Sequence, residues 1–365
     1  MSQYIFVLVW LAFMMVVTNV FTLGRYEYVL GKKEERLPRL LAICTFIPIL
    51  WMAATRGDIG DTWAYKSMYK DIPENFINLL TYLPEVSKDK GFTLFSGLIK
   101  IVFGNNTTIY FFILALIQSV ALVSIYRKYS PNYVISVFLF VASTDYLSWM
   151  FNGVRQFTAV TIIFAATPLM LKKKWGPLLL IILFATTIHA SAILMLPVVF
   201  IIQGKPWNKK TIAFILLCII ALIFADQFTN VLDTLLFETQ YTDAVSEWKS
   251  MEDDGTNILR VLVYSIPMIL SLIGRKWLEA EDNSIINLCT NMAIITSGLY
   301  VVSAVTSGIF IGRLPIYTSL YGYILLPYVI DKMFTKESAL MVKLIMMGAY
   351  LVFYYYQIHI GWALI

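Results

Sequence analysis

Long apolar runs separated by short polar turns make up most of this chain. A helix needs about 20 such residues to cross a ~30 Å hydrocarbon core. Spans are therefore expected at about 4–23, 40–55, 107–126, 133–150, 154–171, 211–225, 258–274, 285–305, 314–331 and 339–358. The short alternating segments of an outer-membrane barrel are missing. The pattern predicts an all-α, polytopic bundle of membrane helices, read as a single transmembrane domain over residues 1–365. The first run, Ile5 to Leu23, has no basic segment before it and no small-residue cleavage site, so it is expected to remain as a span.

One run does not fit a simple crossing. Gly176 to Ile202 is 27 residues of apolar sequence, preceded by Lys172, Lys173 and Lys174 and followed by Lys205, Lys209 and Lys210. A single helix would put these basic clusters on opposite sides. Two short helices, 176–188 and 190–202, turning at His189-Ala190-Ser191, would keep them together. The chain then crosses or enters the membrane twelve times rather than eleven, with both termini outside. That arrangement leaves 17 Lys and Arg on the inner side and 10 on the outer, with Lys343 in the membrane; a single helix gives 13 and 14. Inner loops of membrane proteins carry the basic excess, so the charges favour the hairpin. Helices of about 13 residues reach only about 20 Å, which leaves His189 at a tip below the outer surface. Non-helical backbone is tolerated at such depth only within protein or beside a watery cavity.

Two outer loops are long, 56–106 and 226–257. In the first, Phe92, Phe95, Ile99 and Val102 recur at helical spacing, which predicts an amphipathic helix lying on the membrane. The second is strongly acidic, with Asp226, Asp233, Glu238 and five further carboxylates against Lys249 alone, and is read as a solvated loop.

Composition strengthens the membrane reading. The chain is 59% hydrophobic and 14% charged, against about 25% charged in soluble domains, and its mean hydropathy is +0.73. The net charge of +5 gives no ground for nucleic-acid binding. Cys44, Cys218 and Cys289 are scattered and odd in number, so no disulfide framework is expected. The two histidines, His189 and His359, lie far apart; neither a metal site nor a cofactor is expected.

Chemistry then rests on the polar residues that interrupt the apolar runs. Arg155, in Asn152-Gly153-Val154-Arg155-Gln156, stands inside an apolar stretch from Tyr133 to Leu171. A guanidinium there costs several kcal/mol and usually faces protein or a cavity. Arg56 with Asp58 and Asp61, His189 and Arg313 interrupt other runs, and twelve passes would bring all of them out on the outer side. Three arginines suit a phosphate or diphosphate, which Arg grips with a planar fork. A buried, neutral histidine is able to accept a proton. Each interruption also has a structural reading. Arg56 can snorkel beside a helix capped at Gly57, Asn152 can cap the next helix, His189 can be a hydrogen-bonded core residue, and the tyrosines after Arg313 can anchor an interface.

With Arg56-Gly57…Gly60-Asp61-Thr62…Tyr65, Asn152…Arg155-Gln156, His189…Ser191 and Gly312-Arg313…Tyr317 in this order, the chain resembles the EpsG family of Wzy-like polysaccharide polymerases. The resemblance covers most of the chain. It implies a fold similar to multi-spanning lipid-linked sugar transferases. It also implies a multi-pass enzyme of the bacterial cytoplasmic (inner) membrane, with its site toward the periplasm or outside. Such an enzyme joins oligosaccharide repeats carried on undecaprenyl diphosphate into O-antigen, capsule or exopolysaccharide. Its expected partners are that lipid-linked oligosaccharide, the bilayer and a chain-length regulator. On this reading His189, Asp61 and Arg155 are catalytic, His189 being the first choice of base and Asp61 the second. Arg56, Tyr65, Asn152, Gln156, Arg313 and Tyr317 bind substrate, with no metal. The rival readings are a transporter or flippase of lipid-linked saccharide and a membrane acyltransferase acting on polysaccharide.

The hairpin is testable by sidedness. In a background lacking Cys44, Cys218 and Cys289, a Lys209→Cys protein in intact cells is expected to resist a membrane-impermeant maleimide. Labelling from outside would contradict two short helices at His189.

Overall fold

A computed structural model describes residues 2–20, 25–30, 32–225, 227 and 255–364. The described chain is helical apart from one two-stranded hairpin, in which Arg25–Val29 pairs antiparallel with Lys32–Arg36. It is an all-α, polytopic membrane protein. The chain divides into two compact units, residues 1–193 with 334–365, and residues 194–333.

Among the described residues, four helices are long and apolar enough to cross a membrane: Thr107–Tyr129, Val154–Leu171, Ser284–Ala304 and Lys336–Gly361. Two bent pairs raise this to six, and Gln3–Thr18, Arg39–Ala54, Trp175–Ile188 and Ala190–Ile201 are shorter apolar helices. Straight spans are therefore fewer than the eleven or twelve passes expected from hydropathy, which counts apolar residues but not bends. The expected 40–55 span is two helices, Arg39–Cys44 and Ile47–Ala54, and the 314–331 span is Ile316–Ser319 followed by Gly322–Met333. The 133–150 span turns by 74° between Tyr133–Ala142 and Tyr146–Asn152. Thr144 in that turn is left-handed at φ 61, a conformation that a β-branched residue adopts only under strain.

In the first unit the Tyr133–Ala142 helix has every residue buried, which its unbroken apolar sequence allows. Gln3–Val20 and Lys336–Tyr356 both pack on it. Tyr354 Oη ties them together, donating to the Tyr4 carbonyl at 3.0 Å and lying 2.8 Å from Tyr146 Oη. Thr107–Tyr129, about 34 Å long at 1.5 Å per residue, packs on Val154–Ala165 and Ile47–Ala54. Gln118 Nε2 bonds Thr158 Oγ1 across the first of these contacts at 2.9 Å. In the second unit Ser284–Ala304 is the centre, flanked by Lys209–Ile223, Ile258–Ile273 and Gly322–Met333.

Residues 56–106, expected as an outer loop, fold into a 3-10 turn at Leu83–Glu85 and three α-helices, Thr62–Asp71, Phe76–Tyr82 and Lys90–Phe103. The last is the expected amphipathic helix with a different inner face. Phe92, Ser96, Ile99 and Lys100 are buried against protein while Val102 is exposed. Lys100 reaches inward and its Nζ donates to the Lys70 and Ile72 carbonyls at 2.7 and 2.6 Å. A cation is thus placed on the unpaired carbonyls at the end of the Thr62–Asp71 helix. The acidic stretch of loop 226–257 falls outside the described residues up to Asp254.

The expected hairpin segment is interrupted at His189. Trp175–Ile188 ends there, His189 is extended (φ −153, ψ 120), and Ala190–Leu194 continues as a 3-10 turn before Met195–Ile201. The part from Leu194 onward belongs to the second unit.

Lys100→Met keeps the side-chain length and removes the donors. It is expected to destabilise the protein by about 1–3 kcal/mol, the cost of orphaning buried carbonyls. The readout is a lower thermal unfolding midpoint in detergent; an unchanged midpoint would contradict this anchoring role.

Candidate active site

Arg155 occupies the first turn of the Val154–Ala165 helix with its side chain about one-third exposed. Its Nη1 meets Asp89 Oδ2 at 3.1 Å, and its Nε is buried with no hydrogen-bond partner. The Tyr65 ring lies under the guanidinium at 5.9 Å, and the Tyr65 hydroxyl accepts the Arg155 backbone N–H at 3.4 Å. The other Asp89 oxygen accepts the Ala190 N–H at 3.2 Å. Next along the chain, His189 Nδ1 lies 2.8 Å from Ser191 Oγ, to which Gln156 Nε2 donates at 3.4 Å. Tyr65, Asp89, Arg155, Gln156, His189 and Ser191 therefore form one cluster within the first unit.

Sequence reasoning missed Asp89. It sits at the start of the Lys90–Phe103 helix in a left-handed conformation, φ 55 and ψ 46, which Asp tolerates better than most residues. An Asp at this position normally caps its own helix. Asp89 makes no such bond and is committed to Arg155 and Ala190 instead. Gly91 permits the approach, since a Cβ there would lie 2.2 Å from Thr187 Oγ1 on the Trp175–Ile188 helix. Burial pushes the Asp89 carboxyl pKa up, and Arg155 pulls it back only in part. The carboxylate meeting Arg155 is thus Asp89.

Two residues expected to bind substrate hold the protein together. Arg56 is only 7% exposed. Its Nη1 donates to the Met150 and Phe151 carbonyls at 3.1 and 3.0 Å, and its guanidinium carbon lies 3.7 Å from the centre of the Phe111 ring. It has the snorkelling arginine's need for a partner, met by the carbonyl end of the Tyr146–Asn152 helix. Asn152 does not cap the following helix, whose cap is Gly153. Asn152 Oδ1 accepts the Asp61 N–H at 2.8 Å. Gly60, left-handed at φ +54, touches the same oxygen so closely that a Cβ would lie 2.2 Å away. Together these bonds lock loop 56–61 onto the turn that presents Arg155.

Asp61 has an exposed side chain and no capping bond of its own. Arg313 and Tyr317 lie in the second unit, Arg313 exposed at the end of a 3-10 turn and Tyr317 buried in the Ile316–Ser319 helix. Among the described residues no three His, Cys, Asp or Glu side chains gather as a metal-holding group.

The cluster offers a cation with a spare donor, an imidazole held by a hydroxyl, and a buried carboxylate that orients both segments. An ion pair of this kind contributes little to stability when burial is costly. A raised pKa means the folded protein holds the Asp89 proton more tightly than the unfolded chain does. Its contribution therefore favours the fold at acid pH and is lost as pH rises through the folded value. Thermal unfolding across pH 4–8 should show wild type losing stability relative to Asp89→Asn as pH increases. A difference that is flat, or that grows in favour of wild type, would contradict the assignment.

No curated protein and no solved structure matches this chain. The model of the EpsG family matches residues 39–362, which include every member of the Arg155 cluster. By that match over most of its length, the chain belongs to the EpsG family, a family of Wzy-like polysaccharide polymerases.

Proposed function

We propose that this polysaccharide polymerase extends its polymer from repeat units carried on undecaprenyl diphosphate, at the outer face of the bacterial cytoplasmic membrane. A hydroxyl of one lipid-linked repeat attacks the anomeric carbon of another. The new C–O bond forms as the bond to diphosphate breaks, and the electron pair leaves with undecaprenyl diphosphate. Negative charge develops on the departing oxygen, where fixed donors lower the barrier most. Arg155 is the residue for that task. The observation that carries the reading is a one-third exposed guanidinium held by Asp89, with a buried Nε that has no acceptor.

His189 takes the proton of the attacking hydroxyl, with Ser191 fixing its Nδ1 side. Tyr65 and Gln156 border the same space and contact sugar or diphosphate. Asp89 positions Arg155 and the Ala190 amide beside His189, and Asp61 remains the second choice of base. Arg56 and Asn152 act through the turn that bears Arg155. Arg313 and Tyr317 as substrate ligands, and a chain-length regulator as partner, rest on the sequence alone. The charge of the leaving group is met by arginine, so no metal enters the scheme.

Purified protein incubated with lipid-linked repeats should give a ladder of lengthening products. Arg155→Ala is expected to slow extension about 100- to 1,000-fold, the loss seen when one charge-stabilising donor is removed, while eluting as a folded protein. Arg155→Lys, which keeps charge without the fork, should fall between. An unchanged ladder in Arg155→Ala would overturn the role given to Arg155. Movement of lipid-linked repeats across vesicles without any ladder would favour the transporter.

A further inference from the structure

The Thr107–Tyr129 helix links two different places. Arg56 stacks on Phe111 in its first turns. From about 8 Å further along, at Leu116, to about 25 Å, at Lys128 and 1.5 Å per residue, a cavity of about 440 Å³ opens between this helix and the Arg39–Cys44 and Ile47–Ala54 helices. One wall is apolar, made by Ile43 and Leu50 facing Leu116 and Val120. The rim is charged.

Glu27 on that rim is already neutralised. Arg127 donates to both its carboxylate oxygens, at 3.2 and 2.5 Å, and its Nε donates to the Leu37 carbonyl at 2.6 Å. Arg39 and Lys128 also border the cavity, and both are exposed. The rim therefore carries an excess of positive charge at the end of an apolar slot. Ser119 supplies an independent sign of a ligand. It lines the cavity at 3% exposed, yet its Oγ has no hydrogen-bond partner. A helical serine usually bonds the carbonyl one turn back, and a buried hydroxyl left alone carries an energetic cost.

We propose that this groove binds an anionic glycerophospholipid, on the membrane face opposite the Arg155 cluster. Arg39 and Lys128 take the headgroup phosphate, the Ser119 hydroxyl takes an ester carbonyl, and one acyl chain lies between Ile43–Leu50 and Leu116–Val120. A soluble anion would satisfy the cations and leave the apolar wall bare. A zwitterionic lipid would cover the wall and gain less from the rim.

Full-length protein, purified in detergent and incubated with equal amounts of phosphatidylglycerol and phosphatidylcholine, is examined by native mass spectrometry. Phosphatidylglycerol should be retained over phosphatidylcholine. Arg39→Gln and Lys128→Gln should each lower retention about fivefold, the effect of one basic residue near an anionic surface. Ser119→Leu, which fills the slot, should lower it without a change of charge. Arg39→Gln alters an exposed residue and serves as the variant least able to disturb folding. Equal retention of the two lipids, undiminished phosphatidylglycerol in the Arg39→Gln, Lys128→Gln double variant, or displacement of lipid by millimolar inorganic phosphate would overturn the proposal.

Discussion

The Asp89 carboxylate joins two segments that approach the site from different directions. One oxygen holds Arg155 at the start of a membrane helix, and the other holds the Ala190 amide beside His189. Each end explains an otherwise unfavourable feature. The cation at the edge of an apolar stretch gains a counter-charge. The interrupted helix at His189 gains a partner for an amide that has left the helical ladder. The carboxylate itself is kept at a cost, since burial works against its charge. A hydrophobic substitute of similar size is often as stable as such a pair. On the proposed function, the pair serves to align a cation and an imidazole more than to stabilise the fold.

Beneath that bridge lies a second set of bonds whose function is to hold the turn. Arg56 gathers the last carbonyls of the Tyr146–Asn152 helix, and Asn152 accepts the Asp61 amide across a glycine that has no room for a side chain. The helices of residues 62–103 are fastened in turn by Lys100 on the carbonyls of Lys70 and Ile72. These polar contacts give otherwise unpaired backbone groups a partner within the protein. They let irregular chain exist near the membrane because its donors and acceptors find partners within the protein. The Arg155 cluster is thus carried by a frame in which other charged residues serve the backbone.

Apolar run length and composition made the helical membrane class legible, and four of the residues named from the sequence, Tyr65, Arg155, Gln156 and His189, lie in one cluster. Bends were not legible. Hydropathy registers Tyr133 to Met150 as one run, whereas a left-handed Thr144 turns it by 74°. The strands at Arg25–Val29 and Lys32–Arg36 are five residues each and rich in charge, and the second has no apolar residue, so neither stands out as an element. Asp89 was invisible because its partners are 66 and 101 residues away and its position looks like an ordinary helix cap. Arg56 and Asn152 show the converse ambiguity. A polar residue in apolar surroundings has the same sequence signature whether it faces a ligand or the protein's own carbonyls.

On the proposed function, Arg155 receives the diphosphate of a lipid carrier. The most direct test is the affinity of purified protein for undecaprenyl diphosphate itself, without polymerisation, in wild type and Arg155→Gln. Losing one charge-assisted contact should weaken binding about 10- to 100-fold. Equal affinity in wild type and Arg155→Gln would contradict the account.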